Sequence, residues 1–259
     1  MEYYVVDAFA EQVFAGNPAG VCVLTEKISA DLMQRIAAEN NLSETAFVYK
    51  KQPGFYDLRW FTPKSEINLC GHATLGSAFV IANFVDAGIA EMQFETLSGT
   101  LTVTRQGELF TLDFPTLMPK MIECPAGLTA ALGAAPLEVY LDRDIMVLLP
   151  DQQAVADLKP DFNQLVKLTE GLGVIVTARG ETADFISRCF YPKLGVDEDP
   201  VTGSAHCNLI PFWAAKLGKN RLVARQLSRR GGTLVCELRG ERVLMSGKAA
   251  LYSKATLFV

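Results

Sequence analysis

The sequence predicts an α+β fold: two pseudo-symmetric repeats, each a curved, mostly antiparallel sheet wrapped around a central helix. Three observations carry this. The stretch Ile67 to Val85 has no charged residue and places apolar or small residues on nearly every helical face, so its helix should be enclosed. A second helix of this kind opens at Asp199-Pro200-Val201-Thr202-Gly203-Ser204-Ala205-His206-Cys207 and runs to about Leu217. The neighbours of the two helices also repeat in order. Val21-Cys22-Val23-Leu24 matches Met146-Val147-Leu148-Leu149, and Leu42-Ser43-Glu44 matches Leu168-Thr169-Glu170. Phe61-Thr62-Pro63-Lys64 matches Phe190-Tyr191-Pro192-Lys193, and Leu97-Ser98-Gly99-Thr100-Leu101 matches Leu227-Ser228 with Gly232-Thr233-Leu234. A period this long indicates two similar domains, not a solenoid of short units. The copies span about residues 21–115 and 145–249, which divides the chain into residues 1–118 and 119–259, with the chain ends free to cross between them.

Each element follows from local chemistry. Tyr3 to Ala8 reads as a strand, and Gly16-Asn17-Pro18-Ala19-Gly20 is a dense turn signal before a strand from Val21 to Leu24. Ser29 caps a helix reaching about Asn40, with Leu32, Met33, Ile36 and Ala37 at helical spacing. Strands follow at Thr45 to Tyr49 and Phe55 to Phe61, joined by Gln52-Pro53-Gly54. After the enclosed helix come strands at Met92 to Thr96, Thr100 to Arg105 and Leu109 to Phe114, with Gln106-Gly107 as a tight turn. Residues 116–144 read as a connection with one short helix near Leu128 to Leu132. The second copy then repeats strand, helix, two strands, enclosed helix and strands. Burying one helix on all sides with a strongly curved sheet is an α+β solution.

Composition sets limits on partners. The chain of 259 residues is half apolar and carries a net charge of −5, which argues against nucleic acid or an anionic membrane. The charge-free stretch is not a membrane span, because Asn68, His72, Thr74, Ser77 and Asn83 interrupt it. The basic cluster Arg221, Arg225, Arg229 and Arg230 reads as a solvated edge. The six cysteines lack the close paired spacing of a zinc ribbon or disulfide framework, and reduced thiols with no export signal predict a cytoplasmic protein.

The chemistry gathers at the two helix entrances. A helix start exposes unpaired N–H groups and a positive dipole end, a ready site for an anion. Gly71, Gly203 and Ser204 can offer such groups with little obstruction, and two entrances facing one cleft would hold a carboxylate. Both histidines of the chain, His72 and His206, lie in these motifs, with His206 turned toward the protein body. Cys70 and His72 could ligate a metal, but no clustered thiols or carboxylates accompany them, so no metal is expected. Glu44 is the sharpest acid/base candidate, since a glutamate at a cleft mouth can move protons near neutral pH. Against it stands the ordinary solvated turn carboxylate. Asp199 is a second carboxylate, whose plain reading is a loop residue. Ser204 can orient a carboxylate, and no nucleophile pattern surrounds it.

Five motifs together resemble the phenazine-biosynthesis PhzF-like family: Gly16-Asn17-Pro18-Ala19-Gly20, Ser43-Glu44-Thr45-Ala46-Phe47, Phe61-Thr62-Pro63, Cys70-Gly71-His72-Ala73-Thr74 and Asp199-Pro200-Val201-Thr202-Gly203-Ser204-Ala205. The resemblance implies a diaminopimelate-epimerase-like fold with the active site between two halves. It also implies a cofactor-independent, homodimeric isomerase that shifts a proton within a cyclic unsaturated amino acid. Residue by residue, Glu44 matches the family's general acid/base, and His72, Asp199 and Ser204 match substrate-orienting residues. Gly71 and Gly203 match helix-start glycines, and Asn17 matches a substrate-contacting asparagine. Related epimerases use two opposed cysteines. Cys70 stands at the first position and Pro200 falls at the second, which favours isomerase over racemase chemistry. The implied substrate is a small carboxylate-bearing molecule. An epimerase working through Cys70 and a non-catalytic carboxylate-binding protein are the alternatives.

Overall fold

The computed structural model describes residues 1–259 and divides the chain into two compact units, Met1–Asp113 with Met245–Val259, and Phe114–Leu244. Two features separate this division from one at residue 118. The chain passes from the first unit to the second within a strand, and its C-terminus returns. The final strand, Ala249–Thr256, runs antiparallel to the first, with Glu2 opposite Thr256 and Ala8 opposite Ala249.

The first unit contains β1 (Glu2–Ala8), β2 (Asn17–Leu24), α1 (Ala30–Asn40), β3 (Glu44–Gln52), β4 (Phe55–Phe61), β5 (Glu66–Ile67), α2 (Gly71–Val80), β6 (Glu91–Thr96), β7 (Gly99–Gln106) and β8 (Leu109–Pro115). Neighbours β1–β2, β3–β4, β4–β5, β6–β7 and β7–β8 are antiparallel. Pairs β2–β3 and β4–β6 are parallel. Parallel neighbours need a long crossover, and here α1 and α2 supply the two crossovers. Ser29 caps α1 by accepting the Leu32 N–H at 3.2 Å, and Asn41 closes it at φ 51°.

The second unit contains β9 (Lys120–Met121), α3 (Leu128–Leu132), β10 (Glu138–Leu141), β11 (Ile145–Leu148), α4 (Gln152–Ala156), α5 (Phe162–Leu165), β12 (Val174–Arg179), β13 (Phe185–Tyr191), β14 (Val196–Asp199), α6 (Gly203–Leu217), β15 (Arg221–Gln226), β16 (Gly232–Arg239) and β17 (Arg242–Gly247). Its pairing order repeats that of the first. Pairs β10–β11, β12–β13, β13–β14 and β15–β16 are antiparallel, while β11–β12 and β13–β15 are parallel across helical crossovers. The region read as a connection, 116–144, also contributes β9 and β10, which pair with each other. The expected single helix after β11 is two short ones, each capped by its own aspartate. Asp151 accepts from the Ala154 N–H and Asp161 from the Gln164 N–H.

The two long central helices are enclosed. In α2 every residue from His72 to Ala78 is buried, and the Gly76 face meets Ala19, Val6 and Val21, where a Cβ would lie 3.6–3.8 Å from their side chains. Enclosure ends sooner than the charge pattern implies. Residues Ile81–Val85 form a π-helical turn, and Phe84 emerges 43% exposed to stack on Tyr4. In α6, Pro211 has no N–H to give the Cys207 carbonyl, and the Leu117 N–H takes that place at 3.0 Å. No helix is long and apolar enough to cross a membrane.

Candidate functional site

In the first unit, four residues from three parts of the chain meet at the entrance of α2. Asn17 opens β2 behind a bend that only glycine can make. Gly16 sits at φ 65°, and a Cβ there would lie 2.2 Å from the Ala8 carbonyl oxygen. Glu44 opens β3, in register with Ala19 of β2. Cys70 is the residue preceding the first turn of α2, and His72 lies within that turn. The imidazole bridges them. Its Nε2 is 3.1 Å from Glu44 Oε2, and its Nδ1 is 3.3 Å from Asn17 Nδ2 and 3.5 Å from Cys70 Sγ. The Glu44–His72 approach has ion-pair distance, but Nε2 lacks an in-line hydrogen bond to the carboxylate. His72 is 5% exposed, whereas Glu44 is half-buried.

Burial governs the titration of this cluster. It pushes the Cys70 thiol up, against a smaller opposing pull from His72, so the sulfur stays protonated near neutral pH. Burial also opposes charge on His72, but Cys70 and Glu44 beside it outweigh that and raise the imidazole well above its ordinary value.

The expectation that no carboxylate accompanies Cys70 and His72 is corrected here. A ligand atom of each of Glu44, Cys70 and His72 lies within 4.8 Å of the others, because β3 brings Glu44 back beside α2. The arrangement is nevertheless a bridge and not a chelate. Cys70 addresses Nδ1 and Glu44 addresses Nε2. These nitrogens point their lone pairs in divergent directions, so an ion on one is turned away from the partner of the other.

In the second unit, Asp199, Gly203 and Ser204 gather at the entrance of α6. Asp199 ends β14, and its Oδ2 accepts the Thr202 hydroxyl. Gln226, fully buried at the end of β15, fixes this loop. Its Oε1 accepts the Thr202 N–H at 2.9 Å, and its Nε2 donates to the Asp199 carbonyl at 2.7 Å and to Thr202 Oγ1 at 3.1 Å. Ser204 accepts a hydrogen bond from Arg143 at 2.9 Å. His206 faces the protein interior, as expected. It is fully buried, donates from Nδ1 to the Thr202 carbonyl at 2.8 Å, and leaves Nε2 without a partner. Burial lowers its pKa to about 4, so it is neutral.

The two helix starts correspond to each other. Cys70 and Thr202 occupy the same place, each extended and immediately before a glycine-led helix. Neither Pro200 nor Thr202 at this second helix start carries a thiol. Glu170, the repeat partner of Glu44, has only the neighbouring Thr169 hydroxyl on its carboxylate and no histidine. Thr202, Gln226, Arg143 and Asp144 were not singled out by sequence reading. Gln226 had a readable signal. It continues the inward period-2 series Leu222, Ala224, where an apolar residue is expected.

Comparison with known proteins places these features in context. Residues 6–255 match the family model PhzC-PhzF, described as phenazine biosynthesis-like protein. A Pseudomonas aeruginosa protein described as an uncharacterized isomerase is 50% identical over 257 residues, covering 98% of this chain and 97% of the relative. The crystal structure of a PhzF-family phenazine biosynthesis protein from Enterococcus faecalis matches with a TM-score of 0.97 at 50% identity, covering 100% of this chain and 99% of that one. A hydroxyproline epimerase from Agrobacterium vitis matches at a TM-score of 0.60 with 10% identity, covering 98% of this chain and 91% of the other, a likeness of fold alone.

Proposed function

The chain belongs to the PhzC-PhzF family of phenazine biosynthesis-like proteins and is an isomerase, and on that premise we propose that Glu44 moves a proton within a small carboxylate-bearing, cyclic or unsaturated substrate. The observation that carries this reading is the Glu44–His72 pair, 3.1 Å apart at the entrance of α2. In the proposed reaction the Glu44 carboxylate takes a proton from a carbon next to a double bond. The electrons of the broken C–H bond form a new double bond as the old one shifts. The carboxylic acid then gives its proton to the far carbon of the shifted system and returns to its starting state. One carboxylate can serve both carbons, so no oxidant, reductant or second base is consumed. Protonated His72 answers the negative charge that develops on the substrate, and Asn17 and Cys70 hold the ring in place.

The alternative of an epimerase using paired thiols has less support. It lacks a second thiol, since Pro200 stands at that position by resemblance, and burial holds Cys70 protonated. A purely ligand-binding protein leaves the Glu44–His72 pair without a purpose.

The test is steady-state kinetics of Glu44→Gln and Glu44→Asp over a panel of cyclic unsaturated carboxylates. Removing a general acid/base typically costs about 10²–10⁴ in rate, so Glu44→Gln should lower kcat by that order, with Glu44→Asp retaining part. A Glu44→Gln enzyme with unchanged kcat would refute the assignment.

A further inference from the structure

Asn17 reaches His72 from the end of a strained loop. The loop joins β1 to β2 over residues 9–16, and the ladder between these strands closes on the pair Ala8 and Asn17. Three of its residues hold left-handed backbone: Phe9 at φ 57°, Phe14 at φ 70° and Gly16 at φ 65°. For a phenylalanine this conformation is costly and persists only where the surroundings enforce it. The two ends of the loop are enforced differently. At the outgoing end Phe9 is 1% exposed, and its ring fills the space of a Cβ on Gly247, which would lie 2.4 Å away. The next residue, Ala10, donates its N–H to the Lys248 carbonyl at 3.1 Å. The middle of the loop is open, with Glu11, Gln12 and Phe14 exposed. At the returning end the Phe14 N–H is taken by Asp7 Oδ2 at 2.8 Å.

Asp7 is placed for this purpose. It is 2% exposed within β1, where a carboxyl group is costly unless hydrogen-bonded. Opposite it in the ladder stands Pro18, which has no N–H to give. The ladder is therefore weakened one step from Asn17, and the Asp7 side chain supplies a tie there. Strand alternation sets its direction. Val6 meets α2 at Gly76, so Ala8 and its partner Asn17 share that face while Asp7 points to the opposite one. Asp7 thus holds the loop from behind the sheet and reaches His72 only through Asn17.

We propose that Asp7 is a positioning residue of the first-unit site: by fixing the returning end of the β1–β2 loop it sets Asn17 against His72. The proposal rests on the reading that the Glu44–His72 pair carries the chemistry. It deepens that reading by naming what keeps the imidazole's amide neighbour in place.

The experiment reads the imidazoles directly, and the chain has two histidines, His72 and His206. Proton–nitrogen correlation spectra of the imidazole rings are recorded on the full-length protein without ligand. The set is wild type, Asn17→Ala, Asp7→Ala, Asp7→Asn and the Asp7→Ala/Asn17→Ala double variant, each checked for cooperative melting. Asn17→Ala defines how far the His72 resonances move when the amide is lost. Asp7→Ala should reproduce most of that displacement and leave His206, in the other unit, in place. Asp7→Asn keeps an acceptor oxygen for the Phe14 N–H and should restore the wild-type positions. The double variant should move His72 no further than Asn17→Ala alone, because the two residues act on one path. A merely structural Asp7 would lower the melting temperature without this pattern. Hydrogen exchange of the wild type reads the same tie should Asp7→Ala not fold. The Phe14 amide, though its residue is 70% exposed, should exchange about tenfold or more slower than a free amide, the size of one hydrogen bond. His72 resonances unmoved by Asp7→Ala or not restored by Asp7→Asn, additive displacements in the double variant, or a Phe14 amide exchanging at the free rate would overturn the proposal. These spectra need no turnover, so failure of the proton-transfer reading, seen in Glu44→Gln kinetics, is distinguishable from failure of this one.

Discussion

Replacing His206 with glutamine should remove an acid-sensitive element from the fold. His206 is fully buried and uses Nδ1 to donate to the Thr202 carbonyl. Protonating it would place a second N–H on Nε2, which has no acceptor. Its pKa is accordingly lowered to about 4, against 6.5 for the free side chain. The unfolded chain therefore binds more protons between these values, and stability falls as pH falls from about 6.5 to about 4. The loss is on the order of 2 kcal/mol by pH 5 and on the order of 3 kcal/mol below pH 4. The assay is urea unfolding of wild type and His206→Gln from pH 4.5 to 7.5. Glutamine costs packing against Phe185 at every pH, so absolute stabilities are not the test. The wild-type-minus-variant difference should shrink on acidification by the amounts above. A difference that stays constant with pH would refute the buried-neutral assignment. His72 carries the opposite sign. Its folded pKa is raised, so its contribution is complete below about 6.5 and is lost as pH rises through the folded value. The two histidines thus act in different windows.

Three further outcomes follow from packing and titration. Leu75→Ala empties a fully buried site in α2 and should cost about 2–5 kcal/mol, read from the urea midpoint at constant m. Gly173→Ala would set a Cβ 2.3 Å from the Tyr191 ring and should lower stability by about 1–3 kcal/mol. Cys70→Ala should leave proton exchange intact while shifting the pH profile of kcat, since the thiol neighbours His72 but stays protonated. Loss of exchange in that variant would move the chemistry to the sulfur.

How legible this protein is from its sequence depends on the range of the interactions. Local signals transferred directly. Ser29, the turn at Pro53-Gly54 and the helix at Leu128–Leu132 lie where propensity and capping place them. The two apolar helices, with Lys216 the sole charge in the second, announced the repeat, and the pairing order of both units follows it. What failed to show was long-range. Neither the short strands of 116–144 nor the parallel joints can be read without knowing their partners. The same holds within the site. Glu44 and His72 were each visible as candidates, but their meeting depends on β3 starting opposite Ala19, a register no local pattern encodes. Arg143 and Asp144 lay hidden in a charged turn that resembles any solvated loop. Only the burial of Asp144, set by Gly173 and Tyr191, distinguishes it.

The most direct test of the account is hydrogen–deuterium exchange in heavy water, followed by NMR, over cyclic unsaturated carboxylates for wild type, Glu44→Gln and Cys70→Ala. The account predicts that deuterium enters the substrate at the two carbons joined by the shifting double bond with wild type and Cys70→Ala, and at neither with Glu44→Gln. Exchange that survives in Glu44→Gln and disappears in Cys70→Ala would contradict it.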